Sequence, residues 1–425
     1  MVVLLFIILL GLFALSVPIA TSLGLATSFV AWQGDVFGLQ VIPQQIFNSI
    51  NSFPLMAIPF FILAGYLMEV GGISQKLIDF ASTLVGHITG GLAMVAIITS
   101  MFFAAISGSG AATTAAIGSI MIPAMIAKGY EVRYASANQA VSGALGVIIP
   151  PSIPLILYGI AAQVSVGEMF MAGVFPGVFV TGTLLIAAYF VAKKKGYKGV
   201  KKSNFKEILV ALKGAILSLL MPIIVLGGIY GGVFTPTEAA VIAVVYSFLI
   251  GFFVYRKIKL KDLVPIFKDS SVTTSVVMIV IGTAGLFSFF INRLGVPTMI
   301  SEFFLTITSS AAVFIILVNI LLLITGMFIE AAAAILILVP ILLPISTSLG
   351  IDPVHFGVIM VVNLAIGLVT PPVGINLFVA VQISKLKISA ISRAIVPFVI
   401  ILFVDVLVIS FWPSLSLWLP SIVSK

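Results

Sequence analysis

The sequence predicts an all-α polytopic membrane protein built as two inverted-topology repeats, each with a re-entrant hairpin and a proline-broken transmembrane helix. Three observations carry this. The 425 residues are 61% hydrophobic and 8% charged, with a mean hydropathy of +1.32, a composition that membrane helices need and soluble cores do not. The basic residues gather in a few segments, spaced as membrane crossings would space them. Lastly, the proline pair Pro150–Pro151 in GALGVIIPPSIPLILYG returns 221 residues later as Pro371–Pro372 in GLVTPPVGINLF.

Taken in order, apolar runs bounded by breakers predict spans over 3–31, 43–69, 132–163, 168–192, 207–231, 236–255, 271–293, 353–384 and 389–417. The first run is full length and lacks an A-x-A site, so it reads as a span rather than a cleavable signal peptide. Residues 73–87 (ISQKLIDFASTLVGH) and 295–309 (GVPTMISEFFLTITS) mix polar and apolar residues at helical spacing, the pattern of a helix lying along the membrane interface. Each is followed by an apolar stretch too short for two crossings: 90–127, interrupted at SGSGAATT, and 311–347, interrupted at TGMFIE. A helix of about 15 residues reaches roughly 22 Å, short of a bilayer core of about 30 Å. Each stretch therefore predicts a hairpin that enters and leaves on one side.

Orientation follows from Lys and Arg. The run KKKGYKGVKKSNFKEILVALK (193–213) holds eight lysines and is assigned to the cytoplasm, and RKIKLKDLVPIFK (256–268) falls on the same side two spans later. Counting outward from these puts every basic residue inside except Arg293 and Lys425. The N-terminus is then cytoplasmic and the C-terminus periplasmic. The first hairpin opens from the cytoplasmic side and the second from outside. The net charge of +8 is thereby explained by topology, and nucleic acid is not an expected partner. The 221-residue shift also brings Gly146 onto Gly367, Pro123 onto Pro344 and Pro176 onto Pro397. Three sections result: inverted repeat 1 over 1–192, a basic loop and connecting helix over 193–231, and inverted repeat 2 over 232–425. Inverted repeats with helices broken at matching positions point to a secondary transporter with its site near the midplane.

Within a helix, Pro150 and Pro151 leave the carbonyls of Gly146 and Val147 without their usual donors, and Pro371 and Pro372 do the same to Gly367 and Leu368. Free carbonyls in a bilayer are costly unless something satisfies them. A desolvated Na⁺ can do so, and the hairpin tips Ser107-Gly108-Ser109-Gly110 and Thr325-Gly326 supply further oxygens and room for close approach. The alternative is a plain kink whose carbonyls are met by neighbouring Ser or Thr, with the small residues serving helix packing.

The segments SGSGAATTAAIGSIMIPAM, GALGVIIPPSIPLILYG, GGVFTPTEAA and GLVTPPVGINLF, in this order, resemble the large membrane subunit of TRAP (tripartite ATP-independent periplasmic) transporters over essentially the whole chain. The resemblance implies Na⁺-coupled, elevator-type uptake of an organic acid anion across the bacterial inner membrane. A periplasmic substrate-binding protein would deliver the anion, and a small four-helix membrane subunit would flank this one within the membrane lipids. The pattern is nearest to the sialic-acid branch, with C4-dicarboxylates the other substrate class. Carried over residue by residue, one Na⁺ site uses Ser107, Gly146, Ile149 and Pro151, and a second uses Thr325 or Gly326, Gly367, Thr370 and Pro372. The resemblance also puts Arg293 beside the substrate cavity.

Arg293, in FFINRLGV, is the one basic residue at the outer end of a span. Its planar fork suits a carboxylate, and snorkelling to headgroups is the alternative. Glu330 and Asp405 are candidates for proton or cation sites or for helix contacts. Glu238 in TPTEAA reads as an acid in the first turn of a helix. Absent cysteines exclude disulfides and thiol chemistry. His87 and His355 are too far apart in sequence to suggest a metal centre, and both are expected at interfaces. With no Ser–His or paired-Asp constellation and no GxxxxGK[ST] motif, enzyme and primary-pump readings fall away. A channel would need a continuous polar pore.

Overall fold

The computed structural model describes the backbone of residues 1–307 and 310–423 and, except at 303–307, their side chains. The end of the expected interfacial segment 295–309, and Lys425, lie outside the described residues. α1 (Val2–Ala14) and α2 (Ile19–Gln33) occupy the run predicted as one span over 3–31. The chain reverses between them. Ser16 adopts a φ of +59°, Pro18 has no N–H to continue a helix, and the two helices pack side by side. Met1 returns to Gly34, where a Cβ would collide with its sulfur. The segment is a hairpin with no net crossing, and Met1 lies on the same side as Gly34. The expected cytoplasmic N-terminus rested on a single crossing over this run.

α3 (Val41–Ile50) is likewise separate from the span that follows. Asn51 and Ser52 leave helical geometry, a 3-10 turn covers Phe53–Met56, and α4 (Ala57–Val70) continues it. The crossing predicted over 43–69 is therefore carried by Phe53–Val70. α5 (Ile73–Val85) is amphipathic as expected, burying Ile73, Leu77, Ile78 and Ala81 and exposing Gln75 and Asp79. α6 (Gly91–Ser107) and α7 (Gly110–Ala127) form the first hairpin, and α8 (Val132–Ile148) and α9 (Ile153–Ala161) form the broken helix after it.

α10 (Val166–Lys195) leads into the basic loop with Lys193, Lys194 and Lys195 in its last turn, where cations suit the helix dipole. α11 (Phe205–Tyr230) and α12 (Pro236–Leu249) both start with capping boxes, Asn204–Glu207 and Thr235–Glu238, so Glu238 has the structural role expected of it. A π-turn over Ile250–Val254 ends α12. α13 (Leu260–Arg293) begins earlier than the span predicted over 271–293. After α14 (Val296–Ile307), α15 (Ala311–Phe328) and α16 (Ala331–Ser348) form the second hairpin, and α17 (Pro353–Gly367) and α18 (Ile375–Ser384) the second broken helix. α19 (Ile388–Phe411) and α20 (Ser414–Val423) divide the last predicted span at Pro413.

Shifting the bounds of α7 by 221 gives 331–348, the bounds of α16, and shifted α6, α8 and α10 fall on α15, α17 and α19. The equivalent helices α4 and α13 are also neighbours that run in opposite directions. Tyr66, late in α4, meets Thr273, early in α13, at 3.0 Å, while Ile50, before α4, packs on Gly282 further along α13. The repeats are inverted, and they interlock. α9 packs on α16 and α17, and α18 packs on α7 and α8. Among the described residues, ten helices are long and apolar enough to cross a membrane. The most apolar stretch of Val132–Ala161 is 100% buried, whereas that of α11 is 22% buried. The first broken helix is the centre of the molecule, and α11 is the least buried of these helices within the chain.

At the base of the first hairpin, Glu131 accepts from Arg133 Nε at 2.6 Å and lies 2.9 Å from Lys195 Nζ. These hydrogen-bonding cations hold its carboxyl down at about 2.

Candidate functional site

The first hairpin tip is pressed into the first helix break. Gly108 takes a φ of +60°, and a Cβ there would stand 3.0 Å from the Pro151 carbonyl oxygen. Its own carbonyl accepts from the Ile153 N–H at 3.3 Å. At Gly146 a Cβ would collide with the Ser109 carbonyl and crowd the Thr113 hydroxyl. Ser107 Oγ lies 2.8 Å from Thr113 Oγ1, which donates to the Ser109 carbonyl at 2.8 Å. Ile149, just past α8, is extended, and its side chain packs against Gly177 of α10. Ser107, Gly146 and Pro151 thus meet the hairpin tip at one buried, oxygen-rich junction, while the contact that places Ile149 is the one to α10.

The second junction is built alike but differs in detail. Gly326 and Gly367 meet backbone to backbone, each without room for a Cβ on the other. The Gly374 N–H donates to the Met327 carbonyl at 3.2 Å; its donor is the repeat equivalent of Ile153, while its acceptor lies two residues short of the equivalent of Gly108. Thr370 Oγ1 donates to Ile366 at 2.7 Å, and Thr325 Oγ1 donates within its own helix to Leu321 at 2.8 Å. Pro372 is exposed, whereas Pro151 is buried. The Pro150–Pro151 and Pro371–Pro372 bonds are both cis.

Three of the four carbonyls expected to be free have donors. Ser152 Oγ donates to Val147, the Thr370 N–H to Gly367 at 3.0 Å, and the Asn376 N–H to Leu368 at 3.0 Å. Gly146 differs. Positions 150 and 151 are proline, and the Ile149 N–H goes to Leu145, so its helix has no donor for it.

Two contributors escaped the sequence reading. Thr113 faces Gly146 from one turn past the tip, a position that i, i+4 spacing from Ser109 would have revealed. Asn376 reaches from repeat 2 into repeat 1. Its amide lies against Gly110 and donates to the Ala140 carbonyl at 3.3 Å. A lone Asn in the apolar helix INLFVAVQIS was the signal.

A cavity of about 360 Å³ lies between α3, α9, α13 and α16. Gln45, Ser49, Ser288 and Asn292 supply its polar wall, and Leu336 and Pro340 of the second hairpin face them. Arg293 directly follows Asn292 in the last turn of α13 and is exposed. Asp405 is buried and accepts from Thr183 of α10 at 2.7 Å, so it is a helix contact. Glu330 is exposed at the N-cap of α16. His355, the third residue of α17, is buried within reach of Ser416 Oγ and the Ser410 carbonyl. Among the described residues no three His, Asp or Glu side chains cluster as metal ligands.

The family model of the tripartite ATP-independent periplasmic transporter DctM component matches residues 6–415. The chain belongs to this family. Relatives of this TRAP component include the isethionate TRAP transporter permease protein DctMQ of Oleidesulfovibrio alaskensis, 44% identical over 97% of the chain, of whose length the chain spans 66%. The C4-dicarboxylate TRAP transporter large permease protein DctM of Pseudomonas aeruginosa is 41% identical, with 94% of each chain covered. The sialic acid TRAP transporter large permease protein SiaM of Vibrio cholerae is 38% identical, with 97% of each covered. The YdaH transporter of Alcanivorax borkumensis, whose crystal structure was described as having an unusual topology, shares the fold: TM-score 0.66, 15% identity and 89% of each chain covered.

Proposed function

We propose that this TRAP large permease imports an organic acid anion, sialic acid or a C4-dicarboxylate, across the bacterial inner membrane, coupled to Na⁺. A periplasmic substrate-binding protein presents the anion, and a small four-helix subunit stands beside the permease. The observation that carries this is the pair of inverted junctions where each hairpin tip is seated against a broken helix. Uncharged oxygens at the first junction (Ser107 Oγ, Thr113 Oγ1 and the carbonyls of Ser109 and Gly146) suit a monovalent cation. Seating a tip around an ion closes the hairpin, so ion occupancy is linked to a body able to move.

In this reading the hairpins and broken helices move together past α4, α12 and α13, as an elevator. The anion enters the cavity between them, where Gln45, Ser288 and Asn292 offer donors and Arg293 stands at the neighbouring helix end. The substrates in the relatives' names (isethionate, C4-dicarboxylate and sialic acid) share an anionic head group. With the lysine-rich loops inside, both Met1 and the C-terminus face the periplasm.

The test is uptake into proteoliposomes holding this chain and a small subunit, with candidate binding proteins each loaded with a different anion. Accumulation should need one cognate binding protein and an inward Na⁺ gradient. Accumulation without Na⁺ overturns the coupling. Arg293→Ala should weaken uptake about ten- to a hundred-fold, the loss of a charge-assisted contact. Arg293→Lys should rescue it only in part, because lysine lacks the bidentate fork. Wild-type uptake by Arg293→Ala would return this residue to lipid anchoring.

A further inference from the structure

Asn376 is the second residue of α18, just past the second helix break, and it is fully buried. Its backbone belongs to the second junction. The N–H donates across the break to Leu368 at 3.0 Å, and two residues earlier the Gly374 N–H donates to Met327 of the second tip at 3.2 Å. Its side chain belongs to the first junction. Both amide atoms stand 3.2 Å from where Gly110, the last residue of the first tip, would carry a Cβ. Nδ2 donates to the Ala140 carbonyl at 3.3 Å, which fixes the amide against α8. A single residue thus joins the two hairpin tips, from Gly110 through Asn376 and Gly374 to Met327.

Packing alone does not call for an amide here. Oδ1 is buried without a hydrogen-bond partner among the described residues, a cost in free energy that a leucine of similar size would not carry. The equivalent position in repeat 1 is indeed a leucine, Leu155, whose Cδ1 packs toward Gly173 of α10. The amide stands at one of the two equivalent positions, and there it spans both tips.

We propose that Asn376 is a positioning residue that couples the two Na⁺ junctions, so that an ion closing the first tip favours the ion at the second. This rests on the Na⁺-coupled reading above and adds to it. With the first tip seated, Gly110 lies on the amide and braces the start of α18. The N–H groups of Asn376 and Gly374 are then held at Leu368 and Met327, where the second tip seats. With the first tip lifted, that brace is gone. Linkage makes the coupling reciprocal, so the second ion favours the first by the same factor.

The experiment measures binding of radiolabelled Na⁺ to the full chain in detergent, with choline keeping the ionic strength constant, beside thermal unfolding of the same samples. Wild type should bind with a Hill slope of about 1.5, which two equivalent sites show when coupled about tenfold. Asn376→Ala keeps the backbone bond to Leu368 but loses the contact with Gly110. Its slope should fall to about 1, and half-saturation should need about threefold more Na⁺. Gly110→Ala presses a Cβ onto the amide and should lower the slope by itself, yet lower it no further in the Asn376→Ala background. It reads the same contact if Asn376→Ala does not fold. Phe398→Ala loses packing on Tyr134, at the far end of α8 from the break. It should unfold at lower temperature and keep the slope. A wild-type slope in Asn376→Ala overturns the proposal, as does an equal loss of slope in Phe398→Ala, which would mean a merely structural role. A wild type that binds Na⁺ with a slope of about 1 overturns the coupling and leaves the ion sites standing. One that binds no Na⁺ overturns the sites themselves, and the coupling with them.

Discussion

A Cβ on Gly367 would collide with the backbone of Gly326, and one on Gly146 with the Ser109 carbonyl. Backbone cannot swing aside as a side chain can, so Gly367→Ala and Gly146→Ala should each lower stability by about 1–3 kcal/mol, the usual cost of overpacking. Gly182 of α10 has nothing within 4 Å of its Cβ position, so Gly182→Ala should leave the unfolding temperature unchanged or raised. A thermal scan of the three variants in one detergent checks this, and a Gly367→Ala as stable as Gly182→Ala would remove the tight junction. Glu131 carries a second expectation. Its carboxyl is held at about 2 from an ordinary 4.5, so its contribution is present above pH 4.5 and lost as pH falls toward 2. The group is 41% exposed, which limits the effect to under about 1 kcal/mol. Glu131→Gln should flatten the low-salt stability profile between pH 5 and 2.5, and added salt should shrink the difference from wild type. At this scale the sequence marked residues beside breakers well, because proline and glycine act through their own backbone. Thr113 and Asn376 act through partners that only the folded chain brings near.

The proline pairs define the element scale. Three of the four carbonyls that they disrupt are met by Ser152, Thr370 and Asn376, and Gly146 is the exception. The two pairs should then behave differently. Pro150→Ala/Pro151→Ala restores helix donors opposite Gly146 and should shift uptake to higher Na⁺ and lower its Hill slope. Pro371→Ala/Pro372→Ala should change Na⁺ dependence less, since its carbonyls already have partners. Uptake measured against Na⁺ for both decides, and equal curves would leave the prolines as kinks. Both hairpins were legible from their length, too long for one crossing and too short for two. The first 34 residues were not. The run over 3–31 is apolar throughout, and hydropathy has no term for direction, so the reversal at Ser16–Pro18 passed as part of one span. In the same way Asn51, Ser52 and Pro54 ended α3 inside a run whose average stayed apolar.

For the whole molecule, the expected orientation can be read by labelling, because the chain has no cysteine. Lys128→Cys, exposed between α7 and α8, should react only from the cytoplasm. Ser348→Cys, exposed at the end of α16, should react only from outside. Asp35→Cys and a cysteine placed before Met1 should label together from outside, since α1 and α2 bring those positions to one face. Reaction of Lys128→Cys and Ser348→Cys from the same side would sink the inversion. The repeats also fall short of perfect symmetry. Pro151 is buried where Pro372 is exposed, and α13 is continuous where α3 and α4 are broken. With identical halves, exchanging their conformations would turn an outward-open carrier into its inward-open mirror image, and the two would be equally populated. These halves are not interchangeable, so in the proposed elevator cycle the two ends should differ in free energy. An asymmetry of only about 1.4 kcal/mol sets a tenfold bias, enough for the empty carrier to wait with one particular side open.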